Sequence, residues 1–259
     1  MIDDINLTKL TADSDLKLVG YKDCLKQITC PNPNDNCYYN DCEICKNVEK
    51  FTNYLQALLY EKNIFEVEFS SWTATDRCTL LTQTLPSDDF VELLMEKLVA
   101  LKTHSFITKQ QSEFYESKKN KLAPREILLV LDFSENYKFV AQNAAQAFHF
   151  NNDQATIFPV VYYDVKNSVL CHKSLIFISE CTKHDTAAVY TIQKLLVPYL
   201  KRNHNPKKLI YFSDGAKQHF KNKCQMVNLV KHEIDFGVKA EWHCHPTAHA
   251  KGPSDASGA

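Results

Sequence analysis

Residues 209–223 read LIYFSDGAKQHFKNK. Four apolar or aromatic residues run into Ser213-Asp214-Gly215, as a buried strand does when it stops at a loop. Lysines at helical spacing follow, so a helix is expected directly after the loop. A carboxylate at that point has two readings. Asp is a good helix N-cap. It is also a good metal ligand or catalytic acid, because open α/β sheets gather their chemistry outside the carboxyl ends of their strands. Asp214 alone does not choose between them.

The chain has 259 residues, 44% of them hydrophobic and only 5 of them Gly, which describes a packed globular protein of one large or two modest domains. The longest clean apolar run, Ile127–Leu131, is far short of the roughly 20 residues a membrane helix needs. The opening MIDDINLTKL lacks the basic start of a secretion signal. The expectation is an intracellular protein with no membrane partner. Its 10 Cys are then thiols or metal ligands rather than a disulfide framework. Charge is graded along the chain: 9 Lys/Arg against 17 Asp/Glu over residues 1–100, 11 against 9 over 101–200, and 10 against 5 over 201–259. A basic C-terminal third suits a polyanionic partner, although solvated surface lysines give the same count.

Three segments are expected: a Cys-rich region over 1–60, a helical linker region over 61–125, and a core over 126–259. In the first, Cys24, Cys30, Cys37, Cys42 and Cys45 fall around the turn signal PNPNDN. FTNYLQALLYEKN is helical in spacing, IFEVEFSSW alternates like a strand, and Ser87-Asp88-Asp89 opens a helix with Phe90, Val91, Leu93, Leu94 and Leu98 on its apolar side. From Glu126 the runs ILLVLDF, TIFPVVYYD, SLIFIS, LIYFS and AEWHCH read as strands. TAAVYTIQKLLVPYLKR reads as a helix before the fourth, ended or kinked at Pro198, and AKQHFKNKCQMVNLVKH as a helix after it. Three strands, helix, strand, helix, strand describe a mixed α/β sheet of five strands covered by helices.

Two further aspartates bear on Asp214. Asp132 follows ILLVL directly, where an unpaired carboxylate is costly to bury. Asp255 lies in KGPSDASGA, where a late helix would begin, and a cap or loop role explains it as well. If the first and fourth strands of the set are neighbours, Asp132 and Asp214 stand side by side. Adjacent carboxylates raise each other's pKa unless a cation neutralises them, and Mg²⁺ or Mn²⁺ does so through oxygen ligands. A pair of such ions also makes the two-metal apparatus for in-line displacement at phosphorus, one activating the attacking oxygen and the other steadying the leaving oxygen. The reading requires the two carboxylates to lie within about 8 Å of each other, given metal–oxygen bonds of 2.0–2.6 Å.

LLVLDFSENY, YFSDGAKQHFKNK with NLVKHEIDFGVKAEW, and TAHAKGPSDASGA resemble the motif blocks of transposon-derived proteins of animal genomes. SSWTATDR and THSFITKQQ resemble the same group, so the likeness covers roughly residues 65–259. The resemblance implies an RNase H-like catalytic core of the acidic-triad (DDE/DDD) transposase type. It implies Asp132, Asp214 and Asp255 as catalytic ligands of Mg²⁺ or Mn²⁺, DNA cleavage and strand transfer, possible assembly as a homo-oligomer on DNA, and a nuclear location. Ala250, Ala256 and Ser257 interrupt the glycines such proteins carry in the last block, and the chain stops at Ala259. A core incomplete at its C-terminus is therefore expected, as a fragment or a decayed copy. The alternatives are a domesticated DNA-binding protein that no longer cuts, and an RNase H-type nuclease. With no Gly-rich phosphate loop and no Ser-His-Asp or Cys-His constellation, NTPase and hydrolase chemistry and a small-molecule cofactor are not expected.

The remaining candidates are weaker signals. Cys30, Cys37, Cys42 and Cys45 could hold Zn²⁺, though their spacing matches no standard finger. His243 and His245 share a strand face and could ligate, with a packed, hydrogen-bonded histidine as the plainer reading. Lys217, Lys221, Lys223, His249 and Lys251 flank the acidic positions and could meet a DNA backbone. Trp72 and Trp242 are expected in the core.

Overall fold

The computed structural model describes residues 7–14, 16–45, 47–74, 78–139 and 153–245. The chain divides into two compact units, Met1–Ile107 and Thr108–Ala259.

The first unit contains helices α1 (Leu7–Leu10), α2 (Tyr21–Gln27), α3 (Asp35–Tyr38) and α4 (Asn47–Glu61), then a hairpin of β1 (Glu66–Ala74) and β2 (Cys78–Pro86). Helix α5 (Ser87–Asn120) begins here, its residues up to Ile107 belonging to this unit. Phe51, Leu55 and Leu59 recur every fourth residue on α4, as do Phe90, Leu94 and Leu98 on α5. Spacing of that kind lays one stripe along a helix, and the two stripes bury together with Leu18, Cys24 and Ile28. The hairpin corrects the expectation for Trp72. Phe69 is buried, and side chains alternate across a strand, so Trp72 three positions on faces the other way and is 69% exposed.

The second unit is built on a mixed sheet of β3 (Glu126–Leu131), β4 (Tyr137–Lys138), β5 (Gln154–Lys166), β6 (Val169–Ser179), β7 (Lys208–Ser213) and β8 (Lys239–Cys244). Strand β5 pairs antiparallel with both β6 and β3, β3 runs parallel to β7, and β7 parallel to β8. The sixth strand, beyond the five expected, is β4, a two-residue pairing with Ala155 and Gln154 of β5. Parallel neighbours need long crossovers. Helices α6 (Thr186–His204) and α7 (Lys223–Phe236) supply them.

The central strands are buried on both faces and sort their side chains by parity. Ile127, Leu129 and Leu131 of β3 and Leu209 and Tyr211 of β7 join the core that includes Val189, Leu196, Val197 and Leu200 of α6. Leu128, Val130, Ile210 and Phe212 form the opposite cluster with Leu122. Trp242 packs against the first core as expected, stacked 4.6 Å from Tyr211. Helix α6 does not end at Pro198 but continues to His204, where the His204 imidazole ties it to Asp164 of β5 at 2.8 Å.

Helix α7 starts later than the lysine pattern suggests. Asn222 is its N-cap, accepting from the Gln225 amide at 3.0 Å, so Lys217, Lys221 and Phe220 lie before the helix. Gly237 closes α7 at φ 67°, a left-handed position where glycine carries no Cβ penalty.

Behind the sheet, His232 of α7 is fully enclosed. Its Nδ1–H donates to the Val238 carbonyl at 2.8 Å, which leaves Nε2 to accept from the Tyr211 hydroxyl at 3.0 Å. Burial pushes this imidazole below the ordinary 6.5, against the opposing pull of the Val238 bond and the Asp235 carboxylate. Its contribution to stability is therefore present above 6.5 and is lost as pH falls below that value, where the unfolded chain takes up a proton that the folded chain refuses. Denaturant titrations between pH 7.5 and pH 5 should show stability falling with pH. The fall should be shallower in His232→Leu, which should also lose about 1–3 kcal/mol at pH 7.5 by removing the imidazole's bonds to the buried Val238 carbonyl and Tyr211 hydroxyl.

Candidate functional site

The register of β3 and β7 decides where the acids go. These parallel strands pair Val130 with Phe212, and Asp132 and Asp214 lie two residues further along each. Both carboxylates thus emerge at the same level, from the carboxyl ends of the two central strands. The Asp132 amide donates to the Pro159 carbonyl of β5 at 3.4 Å, which holds the exit of β3 against its other neighbour.

Asp214 is not the N-cap of the following helix, which Asn222 caps. Its Oδ1 accepts from the Ala216 amide at 3.1 Å, an Asx-type bond that turns the chain sharply after the strand. The turn is then fixed from several sides. Phe220 is completely buried and its amide donates to the Ala216 carbonyl at 2.9 Å. The Asn222 side-chain amide donates to the Lys217 carbonyl at 2.9 Å and to the Thr186 hydroxyl at 2.7 Å.

This turn carries His219, which sequence reasoning missed. One ligand atom each of Asp132, Asp214 and His219 lies within 4.8 Å of the others. Two donors to one ion at bonds of 2.0–2.6 Å cannot be more than about 5 Å apart, so the three can share a cation. His219 Nε2 is 3.8 Å from Asp214 Oδ1, and Nδ1 is buried with no hydrogen-bond partner among the described residues. The signal in the sequence was the HF pair five and six residues after Asp214: an apolar anchor next to an imidazole, outside any helix.

A second layer supports the site. Phe133, next to Asp132, meets His219 edge-on at 4.9 Å and stacks on His184 at 4.3 Å. His184 Nε2 lies 2.8 Å from Asn136 Oδ1, an acceptor, so this nitrogen carries the proton. Burial pushes the His184 imidazole below 6.5, with the neighbouring His219 adding to the effect.

The other candidates fall elsewhere or outside the description. Lys217, Lys221 and Lys223 are exposed on the segment after Asp214. His243 and His245 pack against Phe212 at 5.0 and 5.3 Å and are not part of the Asp132–Asp214–His219 group. Glu241 lies beside His243: burial pushes its carboxyl up, and bonds from Lys118, Lys208 and His243 outweigh that and hold it down at about 2. Asp255, His249 and Lys251 lie outside the described residues. In the first unit, Cys30, Cys37, Cys42 and Cys45 form a second group, their sulfurs mutually within 4.8 Å.

The family model described as "Domain of unknown function (DUF8701)" matches residues 111–259. The chain belongs to the DUF8701 family. Both acids of the candidate site and His219 lie within the DUF8701 match, and a second model, "Domain of unknown function (DUF8700)", matches residues 1–102. No curated protein matches the chain. Among solved structures, a Mos1 transposase paired-end complex with left transposon end is similar at 13% identity and a TM-score of 0.30, over 77% of this chain. The chain spans 59% of that transposase chain. Among the described residues no helix is long and apolar enough to cross a membrane.

Proposed function

We propose that the DUF8701 region is an RNase H-like core that processes DNA by divalent-metal chemistry, as transposases do, with Asp132, Asp214 and His219 holding the cation. The convergence of these three side chains at the carboxyl ends of adjacent parallel strands carries the reading. The strand order supports it: β3, β5 and β6 pair antiparallel, with the two-residue β4 on β5, and are followed by β7 and β8 in parallel with β3, with helices in the two parallel crossovers.

The donor set fits a hard or borderline cation. Two carboxylate oxygens suit Mg²⁺ or Mn²⁺, while an imidazole nitrogen favours the transition metal, so Mn²⁺ should bind better than Mg²⁺. When bound, such an ion would activate the attacking oxygen of water or a DNA 3′-hydroxyl, and a second ion, as in two-metal sites, would steady the leaving oxygen. The chain's own part is positional. Asp132 and Asp214 are fixed by strand register, and His219 by the Phe220 anchor. Lys217, Lys221 and Lys223 lie on the exposed path after Asp214, where a phosphate backbone would run. Asp255 enters this proposal as a further acidic ligand, His249 and Lys251 as further backbone contacts, and the nucleus as the location such a substrate requires.

Calorimetry with Mn²⁺ tests the site. The wild-type chain should bind the ion, Asp132→Asn/Asp214→Asn should not, and His219→Ala should weaken Mn²⁺ more than Mg²⁺. Undiminished binding by the double variant would refute the site. Nicking in Mn²⁺ of duplex DNA, against an RNA–DNA hybrid, then separates transposase-like from RNase H-type action. DNA affinity that survives Asp132→Asn, with no nicking by the wild type, would favour a binding protein.

Salt titration of duplex binding tests the lysines. Replacing Lys217, Lys221 and Lys223 by Ala should weaken binding to all sequences alike and flatten the salt dependence by roughly 0.9 log units per lost phosphate contact. An unchanged slope would place the DNA elsewhere.

A further inference from the structure

The segment from Thr29 to Cys45 lacks what normally holds a chain in place. Between Pro31 and Cys45 a single residue, Cys37, is buried. Ile44, the one aliphatic residue there, is 80% exposed and Tyr39 is 48% exposed. Polar turn residues dominate, and Asn40 adopts a left-handed φ of 65° between Cys37 and Cys42. Four contacts secure the segment to α5: Tyr38 stacks on Phe106 at 4.2 Å, Tyr39 meets the same ring edge-on at 5.9 Å, the Thr103 hydroxyl donates to the Tyr38 carbonyl at 2.6 Å, and the Asn40 side-chain amide donates to the Thr103 hydroxyl at 3.5 Å. All four lie at residues 38–40, short of the stretch from Asp41 to Cys45.

The thiols converge nonetheless. Cys30 follows α2, Cys37 sits in α3, and Cys42 and Cys45 lie in the turns after it, yet all four sulfurs come within 4.8 Å of one another. Cys30 Sγ is 3.8 Å from Cys42 Sγ and 3.2 Å from Cys45 Sγ. Four thiolates around an ion at Zn–S bonds of about 2.3 Å sit about 3.8 Å apart in a tetrahedron. A disulfide would use two of the four and would leave the approach of the other two without a cause. Cys24, close in sequence, is buried in the hydrophobic core and is not part of the group.

We propose that Cys30, Cys37, Cys42 and Cys45 bind one structural Zn²⁺. Four thiolates complete a tetrahedral shell and leave no open position for substrate, so the site's role is to fold this segment, not to catalyse. Soft sulfur donors also keep it distinct from the oxygen-rich Asp132–Asp214–His219 site, which selects a harder ion. The proposal therefore stands or falls independently of the proposed function.

Cobalt substitution of the full chain under reducing conditions tests it. The wild type should take up one Co²⁺ at this site, with the visible d–d bands of a tetrahedral ion and a thiolate charge-transfer band, and Zn²⁺ should displace it. Cys30→Ser and Cys42→Ser should lose both bands, Cys181→Ser should keep them, and Cys45→His should keep a tetrahedral spectrum with weaker charge transfer. The wild-type spectrum decides even where a Ser variant misfolds. A reduced wild type that gives no tetrahedral cobalt spectrum, bands that persist in Cys30→Ser, or a Cys30–Cys45 disulfide in protein purified with reductant would each overturn the assignment.

Discussion

The parallel pairing of β3 with β7 is the constraint on which the second unit depends. Parallel strands place like ends together, so two residues that each lie two positions past a paired couple must emerge side by side. The Val130–Phe212 pair sets that register for Asp132 and Asp214. A one-residue slip would exchange the two core faces and bury the wrong side chains, since Leu129 and Tyr211 belong to one cluster and Val130 and Phe212 to the other. Hydrophobic packing on both faces thus fixes the geometry of two carboxylates at the ends of the strands. The cost of bringing the carboxylates together is borne by the core.

Much of this was legible in the sequence because it rests on period-2 and period-3.6 patterns. The runs ILLVL and LIYF announced central strands, and the two aspartates stood out as carboxylates at their ends. The failures have physical causes. Strand β2 was not foreseen because its adjacent Leu80 and Leu81 do not alternate, and both remain about half exposed. Trp72 was assigned by residue type, whereas strand parity with Phe69 puts it outside. Helix α7 was started too early because lysines at helical spacing look the same in a tethered turn. His219 was missed for a related reason: the Ala216–Phe220 hydrogen bond and the buried Phe220 fix that turn, and neither has a periodic signature.

The two candidate cation sites differ in kind. At the sheet end, two acids and an imidazole are held by strands and an anchored turn, and the protein around them is well packed without an ion. In the Cys30–Cys45 segment apolar packing is confined to Cys37 and the Tyr38–Phe106 and Tyr39–Phe106 ring contacts, and the thiols are what converge. An ion would thus be a guest at the first site and part of the fold at the second.

The central claim is that Asp132, Asp214 and His219 share one divalent cation. The most direct measurement is anomalous scattering from crystals of this chain grown with Mn²⁺. The account predicts a manganese peak bonded to a carboxylate oxygen of each aspartate and to a ring nitrogen of His219. A map with the three side chains in place and manganese bound elsewhere, or nowhere, would contradict it.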